Sequence, residues 1–235
     1  LEAARSSGKN PAFLYASTNK VYGGMEEVHI MEEETRYDYA DYPYGIPESH
    51  PVDFHSPYGC SKGCGDQYVR DYTRIYGLPT VVLRQSCIYG PRQFGIEDQG
   101  WLAWFIIAAL QGHSINIYGN GKQVRDVLYI DDLLDAYDLA LDNLDAARGQ
   151  IFNIGGGRGN TLSVWKEFSL LLEELLGRPV PCNYNAWRAG DQPVYISDIR
   201  KAEQILGWKP KIKVQEGIRR LYRWIEENIS SFPQR

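Results

Sequence analysis

The 235-residue sequence is most informative first in what it lacks. It has four cysteines, Cys60, Cys64, Cys87 and Cys182, with no C-x-x-C or other zinc spacing, so neither a metal ribbon nor a disulfide framework is indicated. Cys60 and Cys64, one helical turn apart, are expected to be small packing residues in a reducing cytoplasm. No apolar run approaches the twenty or so residues that span a bilayer, and no secretory leader opens the chain. The formal net charge of −5 lacks the basic surplus of a nucleic-acid binder. No G-x-G-x-x-G follows a strand and opens a helix. The glycines of Gly155-Gly156-Gly157-Arg158-Gly159 come late, after a strand, and lead into Thr161-Leu162-Ser163, which reads as a loop beside a substrate region.

What is present is ordinary globular material, 43% hydrophobic and 23% charged, long enough to bury a substantial core. Within it, Tyr58 and Lys62 lie four residues apart on a segment that opens behind Pro57 and stops at Gly77-Leu78-Pro79. The spacing predicts a helix over 58–76 with both side chains on one face. Such a pair is often only a half-buried ring under a lysine stem. An ammonium one turn away also favours a phenolate, and that makes Tyr58 a candidate general acid/base. Upstream, Pro11 to Thr18 is an apolar run ending in hydroxyls, a short buried strand delivering Ser17 and Thr18 at its carboxyl end. Open α/β sheets bind ligands at those ends.

Thr80 to Ile88 reads as a second buried strand that carries Gln85 and Cys87 into the same cleft. Residues 24–56 are acidic, aromatic and turn-rich, the pattern of a functional loop. Trp101 to Leu110 is apolar all round, hence buried or in a subunit contact. Val124 to Ile130 predicts a strand and Asp131 the cap of a helix running to about Leu144. Helices are expected over Ser163–Leu176 and Val214–Ile229, the second with an apolar stripe at Ile218, Leu221, Tyr222, Ile225 and Ile229. Arg125 by itself is equally suited to an ion pair with Asp126 or Asp131.

Thr18, Tyr58 and Lys62 resemble the Ser/Thr–Tyr–Lys triad of the extended short-chain dehydrogenase/reductases, which include the nucleotide-sugar epimerases and dehydratases. The likeness continues through Tyr22-Gly23, Leu83-Arg84, Ile88-Tyr89-Gly90-Pro91-Arg92, Gly119 to Asp132, Phe152 to Gly155 and Arg188 to Asp198. Ser17 to Tyr22, Asp53 to Gly63 and Arg92-Gln93-Phe94 with Asp98 to Trp101 are most similar to the branch that inverts C2 of a CDP-linked sugar. Members of the family carry a glycine-rich βαβ unit ahead of the first strand seen here. The resemblance therefore implies the C-terminal portion of an α/β, Rossmann-like parallel sheet, its first βαβ units absent, with a smaller interleaved α/β substrate region. Residues 1–92 and 126–152 would be the remainder of the NAD-binding domain. Residues 93–125 and 153–212 would bind the nucleotide sugar, and 213–235 would form a C-terminal helix.

It further implies NAD as cofactor, met by Ala16, Ser17, Tyr58, Lys62, Gln85 and Ile88. A CDP- or UDP-linked sugar would be met by Thr18, Asn19, Lys20, Cys87, Arg92, Gln93, Arg125, Arg188, Asp191 and Tyr195. Cys87 stands where relatives commonly have Asn, and a thiol cannot donate as an amide does. No metal, nucleic acid or membrane is implied; a cytoplasmic homodimer or tetramer is. A 4-epimerase remains an alternative. Dehydration is disfavoured, because Asn19 and Lys20 occupy the positions of the acid pair that eliminates water. A sugar-nucleotide-binding module without catalysis is the second class of reading, motivated by the missing dinucleotide fingerprint.

Overall fold

Alternating short strands and helices dominate the chain, and their register explains how the hydroxyls, the phenol and the arginines meet. The computed structural model describes residues 1–188 and 190–233. A short helix α1 (Glu2–Ser6) leads into β1 (Phe13–Thr18), which ends in the 3-10 turn Asn19–Tyr22. Residues 24–56, expected as loop, include a small antiparallel hairpin of β2 (Ile30–Glu32) and β3 (Tyr37–Tyr39). Helix α2 (Ser56–Tyr76) follows, capped by Gly77 in the left-handed region at φ 70. Pro57 sits in its first turn, where a missing N–H leaves no bond unmade.

The run from Thr80 to Ile88 is not one strand. It breaks at Ser86 into β4 (Thr80–Gln85) and β5 (Cys87–Tyr89), which join different sheets. Helix α3 (Trp101–Leu110), β6 (Ile115–Tyr118), β7 (Val124–Tyr129) and α4 (Ile130–Asp142) come next, then a one-turn α5 (Leu144–Ala147) and β8 (Ile151–Ile154). Asp131 does not cap α4: the cap position is Tyr129, without a side-chain bond, and Asp131 lies in the first turn. There its carboxylate complements the helix dipole. The expected helix from Ser163 begins only at Phe168. Thr161–Ser163 is β9, which pairs antiparallel with β7, and α6 is Phe168–Leu176. Then come β10 (Cys182–Asn185), β11 (Val194–Tyr195), α7 (Arg200–Leu206) and α8 (Val214–Glu227). Beyond α8, the segment expected to continue the helix turns into a 3-10 stretch at Ile229–Ser231.

Strands β1, β4 and β8 form a parallel sheet in that order, with Thr18 level with Gln85 and Gln85 level with Ile154. Helix α2 covers one face over Val69, Val82 and Ile151. Helices α4 and α7 cover the other over Leu83, Phe152, Leu133 and Trp208. A second parallel set, β11-β7-β5 with β9, and the pair β10-β6 sit beside it. Around these, α3, α6 and α8 share a core of Ile106, Phe105, Phe168, Leu221 and Ile225. That answers the apolar girth of α3, whose residues 105 to 109 are all buried within the chain. Asp132 receives the backbone N–H groups of Lys211 and Ile212, and Trp208 donates to its carbonyl, which fastens the approach to α8. Among the described residues no helix is long and apolar enough to cross a membrane. Cys60 and Cys64 do not pack: both are exposed, since they fall on the outer side of α2.

Candidate active site

At the carboxyl end of β1 the chain turns sharply, and the turn is made by Thr18 itself. Its Oγ1 accepts the backbone N–H of Lys20 at 3.3 Å, so the hydroxyl caps the 3-10 turn. Thr18 is 6% exposed and does not itself line the neighbouring cleft of ≈ 750 Å³. Lys20 and Tyr58 both line that cleft, with Cys87, Trp101, Tyr118, Arg125, Arg188 and Asp191. Tyr58 is 54% exposed, a ring presented to the cleft instead of buried under its neighbour. One turn along α2, the Lys62 ammonium donates to the Ala16 carbonyl at 2.8 Å, which places it over the end of β1. The ammonium thus lies two residues along β1 from Thr18, and the phenol lines the cleft beside Lys20.

The rigidity behind this comes from a buried polar network that sequence reading did not find. Arg84 on β4 forks onto Asp66 of α2, Nε to Oδ2 at 2.9 Å and Nη2 to Oδ1 at 3.0 Å. The two are 2% and 0% exposed. Ser17 donates to the same carboxylate at 2.8 Å, and Arg84 Nη1 reaches the Tyr22 hydroxyl at 3.1 Å. Burial pushes the Tyr22 phenol up to about 12 against the lowering influence of Arg84, so it stays a donor, to Asn153 at 2.7 Å. Ser17 is therefore committed to the fold. The close seat of α2 needs glycine at Gly63, where any Cβ would run into the Phe54 ring.

Two arginines converge on the far wall. Arg125 is buried and pairs with neither Asp126 nor Asp131; its Nη2 meets Asp191 Oδ1 at 2.6 Å. Asp126 instead accepts the N–H groups of Gly157 and Ser197 and the Ser86 hydroxyl, and burial raises its carboxyl above the ordinary value. Arg188 lies over the Tyr118 ring at 3.9 Å and pairs with Asp98 at 2.9 Å. Two guanidiniums facing one cleft suit a diphosphate, each fork offering paired donors to phosphate oxygens. That Tyr118 and Asp98 partner Arg188 was not legible in the sequence, because only the packing of β6 and the 93–100 loop brings them together.

Other expected contacts lie elsewhere. Arg92 is exposed at φ 66 and Gln93 donates to the Ile88 carbonyl; neither lines the cleft. Tyr195 is 0% exposed, stacked on Tyr22 at 6.1 Å, which leaves its side chain no access to a ligand. Gln85 bonds the Tyr137 hydroxyl, and Ile88 packs against the core between sheet and α4. Asn19 is buried and accepts from Thr18 at 3.3 Å. Burial raises the Cys87 thiol above its ordinary value, so it meets the cleft as a neutral, weak donor.

Comparison with known proteins matches this architecture. Residues 1–155 match the NAD dependent epimerase/dehydratase family. The chain is 46% identical over 229 residues to CDP-paratose 2-epimerase of Salmonella typhi, covering 95% of this chain and 68% of that one. It superposes on UDP-glucose 4-epimerase of Thermotoga maritima, solved with UDP-glucose, with a TM-score of 0.78 at 31% identity, over 97% of this chain and 67% of that one. UDP-glucuronic acid 4-epimerase of Bacillus cereus, solved with UDP-glucuronic acid and NAD, gives 0.79 at 26% identity, over 97% and 65%. The chain spans about two thirds of the length of these relatives.

Proposed function

The chain belongs to the NAD dependent epimerase/dehydratase family, and on that premise we propose that it is the catalytic and substrate-binding part of an epimerase that inverts C2 of a CDP-linked sugar, CDP-paratose to CDP-tyvelose. The observation that supports the reading is the exposed Tyr58, which lines one cleft with Arg125 and Arg188, while Lys62, one turn along the same helix, reaches the Ala16 carbonyl near the end of β1. NAD fits the residues present. The Lys62 ammonium spends one of its three protons on the Ala16 carbonyl, which leaves two for the hydroxyls of a nicotinamide ribose beside the exposed Tyr58 ring. When bound, NAD would supply the hydride-transfer chemistry that no side chain of this chain offers.

This chain's residues do the rest. Tyr58 is the general base that takes the proton of the sugar hydroxyl and the general acid that later gives it back, so the proton count closes. Thr18 holds that hydroxyl toward the phenol. Arg125, steadied by Asp191, and Arg188, steadied by Tyr118 and Asp98, grip the diphosphate while the sugar between them turns as a ketone. Trp101 and Phe105 line the cleft and limit water. The sugar-nucleotide region is built from residues 93–125 and 153–212, and C4 inversion is the lesser alternative. Dehydration is weaker still, since the Asn19 amide and the Lys20 ammonium stand where eliminating water needs carboxyl groups. A cytoplasmic homo-oligomer through α2 belongs to the same reading, favoured by the exposed Tyr68, Ile75 and Tyr76 on that helix.

The test is turnover of CDP-paratose by the full-length, NAD-loaded protein in deuterium oxide, followed by proton NMR. The expected product is inverted at C2 and carries no solvent deuterium there, and Tyr58→Phe removes turnover while substrate still binds. Deuterium at C2 would mean simple proton abstraction and would overturn the redox route.

A further inference from the structure

Lys20 is a cation without a structural occupation. Among the described residues its Nζ makes no hydrogen bond and no ion pair, whereas Arg125 and Arg188 in the same cleft each hold a carboxylate. Its backbone N–H, by contrast, is fixed by Thr18 Oγ1, so one turn delivers both the triad hydroxyl and this ammonium. The turn cannot retreat, because α2 is seated against it: a Cβ on Gly59 would meet the Lys20 carbonyl oxygen at 3.2 Å. Lys20 is only partly exposed, and the charges that act on it from the packed elements are Arg125 and Asp191, with the Cys87 thiol beside them. Asp191, the carboxylate that acts on Lys20, is already paired with Arg125, and the other cleft carboxylates, Asp98 and Glu97, hold Arg188 and the Asn116 and Tyr118 side chains. A partly buried ammonium left short of counter-charge is unfavourable until an anion arrives.

The position of that anion relative to the reacting carbon is a matter of sugar chemistry. In a nucleotide sugar the diphosphate hangs on C1. C2 is bonded directly to that carbon, while C4 lies across the ring. A cation two residues from the hydroxyl that holds the reacting alcohol meets the phosphate when C2 reacts and does not when C4 reacts. We propose that Lys20 binds the phosphate joined to the anomeric carbon and thereby presents C2, not C4, to Tyr58. This rests on the epimerase reading above and adds to it a residue that sets which carbon reacts. Burial, with Arg125 adding to it, lowers the Lys20 ammonium below its ordinary value, and a bound phosphate would restore it.

The experiment titrates CDP, CMP and UDP-glucuronate into full-length, NAD-loaded protein, as wild type, Lys20→Met and Lys20→Arg, by calorimetry, and assays the site of inversion in parallel. Lys20→Met should lose on the order of tenfold to a hundredfold in CDP affinity, the range of a charge-assisted bond, with CMP binding unchanged. Lys20→Arg should recover most of the loss, and C2 inversion should fall with CDP affinity. Unchanged CDP binding, or equal losses for CDP and CMP, overturns the phosphate contact. A loss confined to UDP-glucuronate overturns it too and assigns Lys20 to a sugar carboxylate. Inversion at C4 by the wild type overturns the choice of carbon. A CDP-specific loss in a protein that epimerises nothing would sink the epimerase reading while the phosphate contact stood.

Discussion

At the scale of single residues, Lys20 carries a second consequence, for stability. Its folded-state proton affinity lies below the ordinary 10.5 because of burial first and Arg125 second, with Asp191 and Cys87 opposing. A lysine depressed on folding is protonated more readily in the unfolded chain, so at neutral pH the ammonium subtracts from stability. The deficit fades as pH climbs through the depressed value toward 10.5. Lys20→Met, of similar length, should therefore melt higher than wild type at pH 7 without ligand, the gap narrowing toward pH 10. Scanning calorimetry reads this directly, and a lower melting temperature at pH 7 would contradict it. The Tyr58–Lys62 pair was legible because four residues on a helix is a local distance. The fates of Cys60 and Cys64 were not, because spacing tells which residues share a helix face and not which face is covered.

Among elements, α2 is tied to the sheet by a buried ion pair in addition to its apolar contacts. Asp66 lies one turn beyond Lys62, and its fork with Arg84 fixes how α2 sits on β4, hence how Tyr58 stands to Thr18. Arg84→Met leaves a carboxylate buried without its cation and should cost about 3–5 kcal/mol. Asp66→Leu combined with Arg84→Met should cost much less than either change alone, since no charge is then stranded. Urea unfolding of the three variants completes the cycle, and additive losses would show that the pair does not act as a unit. The long amphipathic or apolar helices α2, α3 and α8 were readable from periodicity. Strand β9 was not: three residues beginning and ending in hydroxyls have no period, and only pairing with β7 makes them a strand. The break at Ser86 was equally hidden, since its N–H bonds the Ile154 carbonyl while its hydroxyl turns to Asp126.

For the whole molecule, the cleft joins two bodies of core. The Tyr58 and Lys20 side is anchored in the β1-β4-β8 sheet, and the Arg188, Trp101 and Tyr118 side in the core around α3, α6 and α8. A ligand bridging the two adds contacts absent from the unfolded chain. A nucleotide diphosphate sugar at a hundredfold over its Kd should add about 2.7 kcal/mol to folding, seen as one later melting transition. Two transitions, with only one moved by ligand, would show that the bodies unfold independently. Residue order alone set the kinds of chemistry on offer and their local spacing: a phenol one turn from an ammonium, hydroxyls at a strand end, helices with defined apolar faces. Tertiary structure alone decided which cations face the cleft, admitting Lys20, Arg125 and Arg188 and leaving Arg92 outside. It also buried Tyr195 and matched Arg125 to Asp191, not to its neighbour Asp126. The difference lies in distance along the chain. Backbone geometry sets the relation of residues one turn apart, but partners sixty or more residues apart meet only where packing of whole elements puts them.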